Sequence, residues 1–204
     1  MFKMRQEYRN YQQANMSPVA IFMMAVAFFM SIVLSNCSPP PPPPNPPPKL
    51  IIDDSVARDF RTLAQESWEL FLTLFQARTH CFGDVYFRAD STLSDRATYD
   101  PDTATVTIKV PGTPAMLQGA LVHEWAHHIE FQCEEHKELR PPFLEAQGLP
   151  PDTPWRGGHI WAEIPSEQYA EATIDLVLGR RNIPTEIRVS PEAIRVIETW
   201  AMGD

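Results

Sequence analysis

Two histidines four residues apart, with a glutamate directly after the first, form the most specific pattern in this chain: His123-Glu124-Trp125-Ala126-His127. Residues four apart lie on one face of an α-helix, so both imidazoles reach a common point only if this stretch is helical. The flanking apolar residues, Ala120 to Val122 before the motif and Ile129 and Phe131 after it, predict a helix of the core. Two imidazoles at this spacing suit a zinc ion, and Glu124 can reach a water held by the metal and act as its general base.

The first 37 residues are expected to form a signal or membrane-anchor segment. Three basic residues near the start are Lys3, Arg5 and Arg9. An apolar run from 19 to 34 follows them, which is the order found in signal sequences. Cys37 then ends a sequence that resembles a bacterial lipobox, in which the cysteine is lipidated; an uncleaved signal anchor is the alternative. Either way, we expect the rest of the chain to be membrane-attached and extracytoplasmic.

Prolines occupy positions 39–44 and 46–48. Such a run forms an extended, semi-rigid spacer, so we expect residues 38–48 to be a stalk and residues 49–204 to be one folded domain. The 204-residue chain carries a net charge of −9. This acidity argues against nucleic acid as a partner, because phosphate binding needs a basic face.

Cys81 and Cys133 remain as a pair if Cys37 lies at the membrane. Outside the cytoplasm a pair of cysteines is more often bridged than free, so we expect a disulfide. It would tie the motif helix to the segment before the first strand. Cysteine ligation of the metal is disfavoured, because neither residue belongs to a C-x-x-C spacing.

Hydrophobic periodicity predicts the elements before the motif. Apolar residues at three- and four-residue spacing predict a core helix from Asp53 or Asp54 to about Arg78. A short strand is expected at 84–88, and Ser91 to Thr103 is expected to be polar connection. The clearest strand runs from Thr105 to Val110. If it lies at the edge of the sheet, it would hold an extended peptide by strand addition.

The motif helix and the elements after it have recognisable ends. Thr113 is expected to cap the motif helix, with Pro114 at its first position. The stretch from 134 to 154 is polar and rich in proline, which predicts a long loop. A helix over 167–178, capped by Ser166 and closed by Gly179, and a last helix over 191–202 complete the prediction.

A catalytic zinc usually has three protein ligands, so a third one must lie downstream of the motif. The candidates are His136, Glu145, His159, Glu163, Glu167 and Glu171. Glu167 and Glu171 lie four apart in a predicted helix, so one can bind the metal while the other accepts the N–H of a ligand histidine. His159, in a glycine-containing stretch, stays an alternative as ligand or as oxyanion donor.

Other polar residues near the motif receive plainer expectations. His128 points about 100° away from His127 around the helix, so it is expected at the surface or in support of the ligands rather than as a ligand. His136 is expected to be solvated, and Tyr169 is expected to pack in the core or to donate to a reaction intermediate.

His123-Glu124-x-x-His127 followed by Glu167-x-x-Ala170-Glu171 resembles the zincin metallopeptidases of the gluzincin type. The resemblance implies an α+β fold: a small zincin-like domain with a short twisted sheet, an active-site helix carrying the motif, and a C-terminal helical part. It implies a zinc ion (Zn2+) on His123, His127 and Glu167, with Glu171 in support and Glu124 as the catalytic base. The metzincin pattern is absent, because Glu130 and Cys133 stand where it has glycine and histidine.

The expected function is that of a zinc-dependent metallopeptidase that cleaves a peptide or protein substrate outside the cytoplasmic membrane. The alternative is a non-catalytic module that keeps the fold for binding at the cell surface. Glu124 favours the enzyme, because a purely structural zinc site has no use for a base there. A chance match is disfavoured, because three of the six histidines fall within 123–128.

Overall fold

The computed structural model of the protein describes residues 46–179 and 183–203. The predicted anchor segment with Cys37, and the stalk up to residue 45, lie outside the described residues. Within them the chain is α+β, with five α-helices and a four-stranded sheet. None of the helices in that part of the chain has the length and apolar character needed to span a bilayer.

The elements follow one another as short strands and longer helices. The strands are β1 (Leu50–Ile52), β2 (Val85–Asp90), β3 (Ala97–Asp100) and β4 (Thr105–Lys109). The helices are α1 (Arg58–Leu74), α2 (Pro114–Gln132), α3 (His136–Ala146), α4 (Pro165–Leu178) and α5 (Pro191–Met202). Single 3-10 turns occur at Gln76–Arg78 and Trp161–Glu163.

The sheet has the strand order β1-β2-β4-β3, with β3 antiparallel to β4 and the other pairs parallel. The strand Thr105–Lys109 is therefore central, so the edge position on which its expected peptide-binding role depended is not met. The reason is β3, which comes from a stretch expected to be polar connection. Ala97 and Tyr99 of β3 alternate towards the core and pair with Ile108 and Val106, so β3 covers β4 and becomes the edge strand itself.

Helix α2 packs against β3, β4, α1 and α4. Its apolar face meets the inner face of the sheet, where Phe87 and Ile108 are almost completely buried. Trp125 of α2 lies edge-on to Trp68 of α1, with ring centroids 5.0 Å apart. Full burial of each such side chain contributes roughly 1.5–3 kcal/mol to stability. The sheet, α1 and α4 thus hold the motif helix in place.

The start of α2 agrees with the sequence prediction. The hydroxyl of Thr113 accepts a hydrogen bond from the backbone N–H of Met116 at 3.4 Å, and Pro114 is the first helical residue. The helix ends at Gln132, and the following Cys133 forms a disulfide with Cys81. The predicted disulfide is confirmed, and it ties the end of α2 to the segment before β2.

Two other predicted helix starts differ from the structure. Helix α1 begins at Arg58 rather than near Asp53, because the Asp53 carboxylate instead accepts the backbone N–H of Ser55 and forms a local turn. Helix α4 begins at Pro165, ahead of the expected Ser166 cap, while Gly179 closes it in the left-handed conformation (φ 69°) as expected. Helix α5 spans the predicted residues 191–202.

The expected loop over 134–154 contains helix α3. Pro141 and Pro142 lie inside this helix on its exposed side. Leu139 and Phe143, four residues apart, are buried on the other side. The two prolines lack the N–H groups that would bond to carbonyls four residues earlier, and the burial of the apolar face outweighs these lost hydrogen bonds.

Candidate metal centre

The three predicted ligands lie together between α2 and α4. His123 and His127 project from adjacent turns of α2, and Glu167 stands in the first turn of α4. Their donor atoms all lie within 4.8 Å of one another. The side chains are mostly buried, with exposed fractions of 13%, 12% and 19%. Helix spacing therefore delivers two donors, and the packing of α4 against α2 delivers the third.

The spacing of the donor atoms fits a small tetrahedral ion. Nε2 of His123 lies 3.1 Å from Oε2 of Glu167 and 3.2 Å from Nε2 of His127. The third side of this triangle, from His127 Nε2 to Glu167 Oε2, is 3.6 Å. A tetrahedral zinc site with bonds of about 2.0–2.1 Å requires donors roughly 3.3–3.4 Å apart. The donor set and its dimensions thus match zinc.

The opposite nitrogen of each histidine contacts a carboxylate. Nδ1 of His123 lies 3.1 Å from Oε1 of Glu171, and Nδ1 of His127 lies 2.9 Å from Oε2 of Glu130. Because a carboxylate only accepts, each Nδ1 carries a proton, and Nε2 is the nitrogen that can give up its proton and bind a metal. Glu171 was expected in this supporting position. Glu130 was not, although it lies three residues after His127 on the same helix, a spacing that brings side chains together.

The two Nε2 atoms lie 3.2 Å apart and both face the Glu167 carboxylate, so positive charge between them, carried by protons or by a metal ion, is favoured. Burial opposes the charged form of both histidines, but the carboxylates around them outweigh it. Hydrogen bonds to Glu130 and Glu167 raise the pKa of His127 to about 10, and those to Glu167 and Glu171 raise the pKa of His123. The site therefore attracts positive charge.

Glu167 is held in its ionised form. Burial opposes ionisation, yet hydrogen bonds from His123 and His127 keep the pKa of its carboxyl well below the ordinary range. The indole N–H of Trp161 also donates to Oε2 of Glu167, at 2.9 Å. An ionised carboxylate at this position is the form that binds a metal.

Glu124 is almost completely buried, with 7% of its surface exposed. Burial raises the pKa of its carboxyl, while the neighbouring histidines act in the opposite direction. A carboxylate whose proton affinity is raised, beside a candidate metal site, is suited to take up and return a proton.

A cavity of about 510 Å³ opens beside His123 and Glu124. It lies between α2 and α4, with the start of β3 and the segment 183–186 at its rim. Polar groups of Arg96, Thr185 and Glu186 line it together with a set of small and apolar residues: Ala97, Ala115, Met116, Gly119, Ala120, Ile174, Leu178, Ile183 and Pro184. A cavity of this size accepts a side chain or a short stretch of extended chain.

The structure separates the competing candidates from this cluster. His159 is exposed, and among the described residues the donor group comprises only His123, His127 and Glu167. Glu145 and Glu163 are also exposed. Of the candidate third ligands, Glu167 therefore lies beside His123 and His127, and His159 does not.

The expectation that His136 is solvated is wrong. Helix α3 places it in the core, fully buried, with its ring 4.6 Å from that of Tyr169 and 5.5 Å from that of Trp200. Tyr169 is also fully buried and packs in the core, which was one of the two expectations for it. His128 is fully buried as well, so the expectation of a surface position is wrong.

No protein-family model matches this chain, and comparisons with curated proteins and with solved structures found no match.

Proposed function

We propose that this chain is a zinc-dependent metallopeptidase with a zincin-like domain, attached to the membrane by its N-terminal segment and acting outside the cytoplasm. The observation that carries the proposal is the triangle formed by His123, His127 and Glu167, with sides of 3.1–3.6 Å, beside the buried Glu124 and an open cavity. A structural zinc site is closed by four protein ligands, whereas three ligands and an adjacent base are typical of a catalytic one.

In this proposal the four glutamates of the site have different roles. Glu171 and Glu130 hold the imidazoles through Nδ1, and Glu167 completes the ligand set. A bound zinc ion would supply a water of lowered pKa and an electrophile for a substrate carbonyl. Glu124 accepts the proton released during attack on the carbonyl carbon and delivers it to the departing amine nitrogen. Its burial keeps that proton from exchanging freely with solvent.

The edge strand β3 is suited to hold a peptide. Arg96, directly before β3, and Ala97, its first residue, line the cavity together with Glu124. In the described ranges β3 pairs with β4 alone, so its other edge is open for strand addition. In this proposal β3 therefore takes the peptide-binding role considered for β4, with a substrate side chain entering the cavity.

The disulfide supports the proposed compartment. Cys81 and Cys133 are bridged, and disulfides persist mainly in oxidising environments outside the cytoplasm. This agrees with the basic start and apolar run at the N-terminus of the sequence.

Metal content tests the ligand set. We expect the full chain to bind about one zinc per molecule, to lose it in Glu167→Ala, and to keep it in His159→Ala, the matched control for the competing ligand. Loss of zinc in His159→Ala alone would move the third ligand and contradict the proposed site. A folded wild-type protein without affinity for zinc would contradict the proposal altogether.

Turnover tests the enzyme. We expect the zinc-loaded full chain to cleave members of a quenched-fluorescent peptide library, and Glu124→Gln to abolish cleavage while retaining the metal. Zinc binding without cleavage of any library member, or equal cleavage by Glu124→Gln, would contradict the peptidase and favour a non-catalytic binding module.

A further inference from the structure

The segment Trp155–Trp161, here called the site loop, has the sequence Trp-Arg-Gly-Gly-His-Ile-Trp. It lies between α3 and α4 and contributes none of the three proposed ligands. One end nevertheless contacts the carboxylate of Glu130, which is paired with the ligand His127. The other end contacts the carboxylate of Glu167, itself a proposed ligand. The site loop therefore contacts the proposed metal centre and does more than connect α3 to α4.

At the first end of the site loop, Arg156 forms an ion pair with Glu130 through Nε and Oε1. The Glu130 side chain is completely buried, and its other oxygen lies 2.9 Å from Nδ1 of His127. The guanidinium also lies over the ring of Phe131, 3.5 Å from its centroid, so it is held from a second side. A buried carboxylate keeps its orientation only when both oxygens are paired, so Arg156 fixes the group that fixes His127.

At the other end of the site loop, the indole N–H of Trp161 donates to Oε2 of Glu167 at 2.9 Å. This is the oxygen that faces Nε2 of His123. The indole ring also stacks on the imidazole of His123, with centroids 6.3 Å apart and planes 24° apart. Trp161 thus restrains a ligand oxygen by hydrogen bonding and a ligand ring by stacking.

Backbone features of the site loop hold Arg156 and Trp161 in place. The backbone carbonyl of Trp155 accepts the N–H of Ser166 at 3.0 Å, which fastens the loop to the first turn of α4. Gly157 has a φ of 82°, a conformation that favours glycine, and lets the chain turn away directly after Arg156. The tip, His159 and Ile160, is exposed.

We infer that Arg156 and Trp161 are positioning residues of the metal centre, and that the site loop is its third structural part beside α2 and α4. Arg156 acts on His127 through Glu130, and Trp161 acts on Glu167 directly. The inference rests on the proposed zinc site, but it assigns function to residues that lie outside the ligand set and the motif.

Metal affinity of the full chain, measured by competition with a chelator, tests this inference. Trp161→Phe keeps a ring and removes the N–H, and Arg156→Gln removes the charge. Each is expected to weaken zinc binding ten- to a hundredfold, the usual effect of losing a group that orients a ligand. Ile160→Ala, exposed in the same loop, is the matched control and is expected to bind zinc like the wild type.

Two further readouts separate positioning from a structural role. Thermal unfolding of the metal-free proteins is expected to be the same for Trp161→Phe and the control, because Trp161 is half-exposed. In the cobalt-loaded protein, Trp161→Phe is expected to shift the visible absorption bands, since the Glu167 oxygen has lost a donor, and Ile160→Ala is not. Unchanged affinity in both variants, or weaker binding that only follows a loss of metal-free stability, would overturn the inference. A wild type that binds no zinc would instead overturn the proposed function.

Discussion

The phenolic oxygen of Tyr99 lies 2.9 Å from Nδ1 of His128, which joins the edge strand β3 to the helix of the proposed metal centre. Nε2 of His128 lies 3.0 Å from the carbonyl oxygen of Gly83. A carbonyl only accepts, so Nε2 carries the proton and Nδ1 accepts the hydroxyl of Tyr99. Burial lowers the pKa of His128 to about 4, which keeps it neutral. This histidine next to a ligand therefore sets the position of β3 relative to α2.

Replacing Tyr99 by phenylalanine is expected to destabilise the protein without changing its affinity for zinc. The change leaves the buried Nδ1 of His128 without a donor, which costs about 1–3 kcal/mol of unfolding free energy. The ligands lie on another side of α2 and keep their partners. Urea unfolding and chelator competition measure the two quantities.

The matched control for Tyr99→Phe is Tyr86→Phe, on an exposed part of β2. Its unfolding free energy is expected to stay within about 0.5 kcal/mol of the wild type, as for ordinary surface changes. Equal stability of the two variants would contradict the role given to the bond between Tyr99 and His128.

Substitutions of Gly119 test whether the cavity binds substrate without altering the zinc ligands. It lies inside α2, one turn before His123, and lines the cavity; a Cβ at this position would meet nothing within 4 Å. Gly119→Ala is therefore expected to raise the unfolding free energy by about 0.5–1 kcal/mol, because glycine is unfavourable inside a helix.

Gly119→Leu adds a side chain that reaches into the cavity. We expect unchanged zinc content and a fall in kcat/KM that is largest for peptides with bulky apolar side chains, with Gly119→Ala as the control. If Gly119→Leu cleaved all library peptides as well as Gly119→Ala does, the cavity would not be part of the substrate site.

The predictable parts of this fold are those determined by local sequence. Thr113 with Pro114 indicates the start of α2, since a cap and the proline after it act within one turn. The four-residue spacing of Glu167 and Glu171 likewise predicts which carboxylates face the histidines. Both expectations agree with the structure.

The parts that sequence reasoning missed depend on contacts between distant residues. The edge position of β3 follows from pairing with β4, which periodicity within a single polar stretch does not reveal. Arg156 lies 26 residues from Glu130 in the chain, so no spacing rule joins them. His136 is buried because it lies on helix α3. The sequence did not predict this helix, because Pro141 and Pro142 indicate a loop.

Removing the disulfide is expected to cost stability without dismantling the site. The bridge between Cys81 and Cys133 spans 52 residues. Its loss in Cys81→Ser/Cys133→Ser is expected to lower the unfolding free energy by about 2–4 kcal/mol, through the greater freedom of the unfolded chain. Zinc affinity is expected to persist, because the contacts of Glu167 and Glu171 on α4 with His123 do not involve the C-terminal end of α2, where Cys133 lies.

Urea unfolding with and without a reducing agent checks the contribution of the disulfide. The wild type should lose stability on reduction, whereas the double serine variant should not change. Cys37→Ser, at the remaining cysteine, is the control and should respond to the reducing agent like the wild type. A wild type that keeps the same midpoint in reductant would contradict the stabilising role.

His136 is expected to make the protein sensitive to acid. Burial lowers the pKa of this fully buried histidine from 6.5 to about 3, and neither ring nitrogen has a hydrogen-bond partner in the described residues. The unfolded chain therefore takes up a proton at a pH where the folded chain does not. Its contribution to stability is complete above pH 6.5 and is lost as the pH falls towards 3, by about 2 kcal/mol at pH 5.

His136→Phe removes this titration and places one more aromatic ring among Trp155, Tyr169 and Trp200, which already surround the histidine. We expect the variant to be more stable than the wild type, with a difference that grows from pH 7 to pH 5 because only the wild type loses stability through this group. Urea unfolding of the metal-free proteins at pH 7, 6 and 5 measures it, with the exposed His159→Ala as control. Parallel curves for His136→Phe and the wild type would show that His136 does not govern the acid response, since a buried neutral histidine must produce a difference in slope.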